Sequence, residues 1–125
     1  MIKHHELCFG CGQANLFGLQ LELEPRDDGS VAGRFFVKQD HQGPPGYAHG
    51  GILASALDEA MALAVHAAGV NAVTRRFEVE LSAPAPVGAF VEVEAALGDG
   101  LVATAVARSG ETVLASARGE FAAVG

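Results

Sequence analysis

The chain has 125 residues, of which 50% are apolar and only 18% charged, the composition of one packed domain; disorder is excluded as its main state. Its 16 glycines and 5 prolines cluster between periodic stretches without a triplet repeat, which excludes fibrous or linker character. Eight basic residues against fifteen acidic ones give a formal net charge of −7, which repels nucleic acid and anionic lipid at long range, so neither nucleic acid nor membrane is expected as a partner.

The segment Met1 to Glu6 carries no apolar run of the signal-peptide kind, and the longest apolar stretch is interrupted by Ser55, Asp58 and Glu59. A soluble protein is expected. Two cysteines without a second pair fit a reducing, cytoplasmic setting. A domain this small leaves much apolar surface outside its core, and self-association would use it.

In chain order, the first motif is Cys8-x-x-Cys11. With His4 (H-x3-C-x2-C) or His5 (H-x2-C-x2-C) upstream it offers three zinc ligands, and no fourth is evident. A buried structural cysteine pair is the leading reading, ahead of a metal site and a redox pair, so no metal and no cofactor is assigned.

Residues 19–24 alternate, with Leu19, Leu21 and Leu23 on one face, before Pro25 and the Asp27-Asp28-Gly29 turn; this predicts a half-buried strand and a hairpin. A second strand is predicted over Val31–Lys38, followed by a loop rich in glycine and proline. From Gly51 to about Ala68 the period becomes helical. Apolar residues cover most of that helix, and Ser55, Asp58, Glu59 and His66 fall in one polar stripe roughly 100° wide. Four strand-like runs follow, at 76–82, 90–97, 101–108 and 112–124. The predicted architecture is α+β: an antiparallel sheet of about six strands, the last four a meander, curled round one long central helix in a single domain spanning 1–125.

The loop His41-Gln42-Gly43-Pro44-Pro45-Gly46-Tyr47-Ala48-His49-Gly50-Gly51 leads into the helix. A helix N-terminus presents unpaired N–H groups and partial positive charge, which polarise a carbonyl oxygen; Gly50 and Gly51 serve equally well for a sharp turn. Asp58 lies seven residues beyond Gly51, where a carboxylate on an apolar element must be solvated, paired or functional. Glu59 is expected on an exposed helix edge, pairing with arginines across an interface.

His49-Gly50-Gly51 followed by Asp58, in an alanine-rich helix preceded by two strands and followed by four, resembles the hotdog-fold acyl-CoA thioesterases of the PaaI-like group. The prefix Cys8-Phe9-Gly10-Cys11-Gly12 with Asn15-Leu16-Phe17-Gly18-Leu19 is similar to an N-terminal tag, spanning about residues 1–18 here, found in part of that group. The resemblance implies hydrolysis of an acyl-CoA thioester, with the Gly51 amide polarising the carbonyl, Asp58 as nucleophile or general base and His49 supporting the substrate or the loop. It also implies sites built across a dimer interface, in a homodimer or a dimer of dimers (homotetramer). Substrate contacts are expected from Gly50, Gln42, Thr74 and one of Arg75 and Arg76, which a regular strand would send to opposite faces. Two positions depart from the family pattern: Gly43 stands where many relatives carry asparagine, and Ser82-Ala83-Pro84 where they carry a basic residue before the proline. These departures motivate an alternative, a non-catalytic protein binding acyl-CoA or an aromatic ligand. A hotdog hydratase or dehydratase using His41 fits less well, because Ala54, Ser55 and Ala56 stand where its acid would be.

Overall fold

The apolar run after the loop forms the 18-residue helix α1 (Gly50–Ala67) of the computed structural model, which describes residues 1–125. His49 caps its start, its Nδ1 accepting from the Gly51 amide at 2.8 Å. Gly69, at φ 83°, follows its end, and the Val70 amide returns to Val65 O at 3.3 Å. Leu53, Leu57, Ala60, Met61 and Ala64 are buried, whereas Asp58, Glu59, Ala62 and His66 lie along the less buried stripe. No helix is long and apolar enough to cross a membrane.

Six strands, β1 (Glu22–Pro25), β2 (Val31–Phe36), β3 (Ala72–Leu81), β4 (Phe90–Leu97), β5 (Val102–Ser109) and β6 (Thr112–Ala123), form one antiparallel sheet in the order β1-β2-β4-β5-β6-β3. The sheet packs against α1, giving the hotdog fold. Its helix-facing side is built largely of small residues, among them Ala95, Ala103, Ala105, Ala107, Ala115 and Ala117, all buried, so the helix can lie close to the strands.

One expectation about topology fails. Only β4, β5 and β6 form a meander; β3 lies beyond β6, at the opposite edge of the sheet from β1. The stretch from Ser82 to Ala89 is too long and too rich in proline for a tight hairpin, and it carries the chain past two strands before β4 begins.

The strand ends differ for identifiable reasons. Leu19 and Leu21 are buried as the alternation requires, but their amides bond Phe9 O and Gly10 O, and Gln20 has φ 51°, so the ladder with β2 begins only at Glu22. Strand β3 starts four residues before its predicted start, because a bulge between Thr74 and Arg76 breaks the alternation there. The turn into β5 includes Leu101, at φ 59°, and moves that strand one residue along.

Candidate active site

Asp58 projects from the third turn of α1 toward β3. The Thr74 hydroxyl donates to Asp58 Oδ1 at 2.6 Å. Burial pushes the Asp58 carboxyl above the usual carboxylate range, opposed by the Thr74 hydrogen bond; the Glu59 charge adds to the rise and His4 offsets it. A partly buried carboxylate with one oxygen held leaves the other to accept a proton or attack a carbon.

At the helix start, the Gly51 amide is already engaged by His49 Nδ1. Gly50 lies beneath Leu81, whose Cδ1 is 2.8 Å from the point a Cβ on Gly50 would occupy. Gly51 and Asp58 are seven residues apart on one helix, about 10 Å along its axis at 1.5 Å per residue. One protomer therefore does not bring the Gly51 amide and the Asp58 carboxylate onto the same carbonyl.

The structure explains the departure at Gly43. A Cβ there would stand 2.8 Å from His49 Cα and 3.1 Å from His49 Cδ2, so the histidine fills the space an asparagine side chain would need. Gln42 engages its own loop: Nε2 donates to Gln39 O at 2.9 Å, and Oε1 accepts from the Gly46 amide at 2.8 Å. Arg75 is the extra residue of the bulge, and its guanidinium donates to Glu120 Oε1 at 3.1 Å. Arg76 is exposed and pairs in register with Glu120. Thus Thr74 meets Asp58 and His49 meets Gly51, whereas Gln42 and Arg75 are turned to other partners.

His41 is buried, at 2% exposure, with both ring nitrogens on backbone: Nδ1 accepts from the Lys38 amide at 3.1 Å, and Nε2 faces Gly18 O at 3.3 Å. This joins the loop to the N-terminal segment and leaves the ring no free nitrogen for acid or base work.

Glu59 is not on an exposed edge. Its side chain is 12% exposed and turns to the N-terminal segment, where His4 Nδ1 lies 2.8 Å from Oε2 and Cys8 Sγ 3.6 Å from both carboxylate oxygens. The Cys11 thiol, held up by burial, lies 3.6 Å from His4 Nδ1. Hydrogen bonds to Cys11 and Glu59 push the His4 imidazole up to about 11. One ligand atom from each of His4, Cys8, Cys11 and Glu59 lies within 4.8 Å of the others. The motif alone supplied three of these groups; the fourth sits 48 positions beyond Cys11, on the polar stripe of the helix, where only packing could join it to them.

The largest surface groove, about 630 Å³, lies away from these residues, between β1, β2 and β4, and includes Arg34 and Glu94. It contains neither Asp58 nor Gly51.

Residues 45–99 match the model of the thioesterase superfamily, a segment that includes Gly51, Asp58 and Thr74. Among solved structures, a thioesterase superfamily protein is 28% identical with a TM-score of 0.85; the match covers 92% of this chain and 62% of that one. The PaaI protein from the phenylacetic acid degradation operon of E. coli is 22% identical over 86% of this chain and 81% of its own, with a TM-score of 0.77. A hypothetical thioesterase from Streptococcus pneumoniae, solved with coenzyme A, is 21% identical over 84% of this chain and 89% of its own, with a TM-score of 0.76. No curated protein matches the chain.

Proposed function

We propose that this chain, whose residues 45–99 match the thioesterase superfamily model and whose fold is that of the E. coli PaaI protein, is a PaaI-like hotdog thioesterase that hydrolyses an acyl-CoA thioester at a site centred on Asp58. The observation that carries the reading is the carboxylate itself: Asp58 is the partly buried acid on an apolar helix that is oriented by a hydroxyl, Thr74 at 2.6 Å. The relative solved with coenzyme A supports the substrate class.

As general base, Asp58 takes a proton from water as the water oxygen bonds the thioester carbon. The carbonyl oxygen gains negative charge beside the amides at a helix N-terminus, and collapse expels the coenzyme A thiolate, which is protonated on leaving. As nucleophile, Asp58 instead bonds the acyl carbon, expels the thiolate and forms a mixed anhydride that water then opens. Label found in the Asp58 side chain after a single turnover in ¹⁸O-water identifies attack by Asp58, with water opening the anhydride at the Asp58 carbon.

The separation of about 10 Å between Gly51 and Asp58 favours a site completed by a second copy, with one chain's Asp58 facing the helix start of the other. Strand β3 is an edge strand ten residues long, and its Val73, Phe77 and Leu81 are exposed, which supports a homodimer through that edge. For the Gly51 amide to receive the carbonyl, His49 Nδ1 must give up its hydrogen bond.

That bond also favours a second reading, a protein that binds acyl-CoA without hydrolysing it, with His49 keeping the amide. A panel of acyl-CoA esters followed by release of free thiol, beside direct binding measurements, distinguishes the two. Turnover abolished in Asp58→Asn supports the hydrolase; tight binding without thiol release supports the binding protein.

A further inference from the structure

The groups outside the proposed hydrolytic site that come closest to a built ligand sphere are those joining the N-terminal segment to α1. Cys8-Phe9-Gly10-Cys11 forms a tight turn in which the Gly12 amide donates to Cys8 O at 2.9 Å. The turn lies directly on the helix. A Cβ on Gly10 would collide with the Glu59 side chain, so glycine at this position lets the two cysteines reach the carboxylate.

Four donors of three kinds converge. His4 Nδ1 stands 3.6 Å from Cys11 Sγ and 3.9 Å from Cys8 Sγ, and Cys8 Sγ is 3.6 Å from both Glu59 oxygens. A tetrahedral zinc ion has bonds of about 2.3 Å to sulfur and about 2.0–2.2 Å to nitrogen and oxygen, which puts its ligands about 3.3–3.8 Å apart. Three of the six edges, His4–Cys11, His4–Cys8 and Cys8–Glu59, stand at 3.6–3.9 Å, near that range. A fourth edge, His4 Nδ1 to Glu59 Oε2, is 2.8 Å and must open by roughly half an ångström to admit the ion, and the two edges from Cys11 Sγ to Cys8 and to Glu59 fall within 4.8 Å. Further contacts hold the ligands in place: the His4 amide donates to Cys11 Sγ at 3.1 Å, and the His4 and His66 rings lie 5.3 Å apart.

We propose that His4, Cys8, Cys11 and Glu59 bind one zinc ion that clamps the N-terminal segment to helix α1. Two thiolates, an imidazole and a carboxylate suit zinc, a borderline-soft ion without geometric demands of its own, better than the hard oxygen-seeking cations. Four protein ligands leave no open position, so the ion is structural and activates no water. Binding releases the thiol protons of Cys8 and Cys11 and the proton His4 shares with Glu59. The inference stands apart from the hydrolase reading, because it rests on groups that the proposed reaction does not use.

The test uses the full chain, purified without added metal or chelator, and reads zinc per chain by elemental analysis. About one zinc per chain is expected, and Cys8→Ser or Glu59→Gln should lose most of it. Because either variant can disturb folding, the metal-stripped wild-type protein is also titrated with cobalt(II). Saturation at one equivalent, with visible bands of tetrahedral intensity and near-ultraviolet thiolate-to-cobalt bands, supports the site; Glu59→His should keep cobalt but shift the visible bands. Stripping the metal should lower the melting temperature by roughly 5 °C or more, and one equivalent of zinc should restore it. Purified protein without zinc that also fails to bind cobalt through sulfur overturns the proposal, as does a Cys8–Cys11 disulfide in the freshly isolated chain.

Discussion

Thr74 on β3 donates its hydroxyl to Asp58 on α1 across 2.6 Å, joining the edge strand to the helix at the polar position the proposed chemistry needs. The two residues are 16 positions apart, and the bond exists because the bulge after Thr74 separates that residue's facing from the regular alternation of the rest of the strand.

If Asp58 carries the reaction, Asp58→Asn should reduce thiol release from the best acyl-CoA by about 10²–10⁴-fold, the usual range for a lost acid–base group. Circular dichroism and melting temperature should stay close to wild type, because the amide is nearly isosteric. A folded variant with undiminished turnover would remove Asp58 from the mechanism.

Thr74 should behave as a positioning residue. Thr74→Val keeps the shape and removes the donor, and should lower kcat by about 10-fold while leaving KM within about twofold, the loss expected for one hydrogen bond to a charged group. Thr74→Ser should restore most of kcat. Equal losses in both variants would point to packing instead.

Gly43→Asn places the residue common in relatives where His49 now stands. With a Cβ only 2.8 Å from His49 Cα, backbone has to shift, and overpacking of this kind costs about 1–3 kcal/mol. The urea midpoint should fall accordingly. A variant as stable as wild type would show that the loop accommodates the larger residue freely.

His41 predicts a pH dependence of stability. Burial lowers its pKa from 6.5, reinforced by the Lys38 charge and opposed by the Gly18 carbonyl and Asp40. The folded state therefore takes up this proton less readily than the unfolded chain, and stability falls as pH drops from about 6.5 toward the lowered folded value, while above 6.5 the effect is absent. Protonation would also set an N–H against the Lys38 amide that Nδ1 now accepts. Urea midpoints of wild type and His41→Gln between pH 7.5 and 5 should converge as pH falls. Parallel profiles would count against this assignment.

Sedimentation should find a dimer at micromolar concentration, and Phe77→Lys, in the middle of the exposed β3 edge, should shift it toward monomer with loss of turnover. A fully active monomer would contradict a site completed by a second copy.

Much of this protein is legible in one dimension. Period-two runs gave β4 its full extent, helical periodicity placed α1 within one residue at each end, and the polar stripe singled out Asp58 and Glu59. These features are local, since the side-chain period follows from backbone geometry alone. The motif from His49 to Asp58 is local too, and so is the departure at Gly43.

Other features depend on which segments meet. Strand order was not readable, because a long link such as 82–89 leaves the next pairing open, and β3 joined β6 across the sheet rather than β4. A single bulged residue, Arg75, hid the first part of β3 by shifting the alternation, and it sent that guanidinium to Glu120. His41 and Gln42 carry polar groups suited to chemistry, but backbone of the loop and of the N-terminal segment occupies those groups. The largest gap was Glu59: His4, Cys8 and Cys11 lie within eight residues of one another and form a motif, but their fourth partner is 48 positions past Cys11 and enters the cluster only when the N-terminal turn packs on the helix. Sequence determined the elements and the kinds of groups on offer, because those follow from short-range periodicity and residue chemistry. Tertiary packing alone decided which groups stand within bonding distance, because that depends on contacts between residues far apart along the chain.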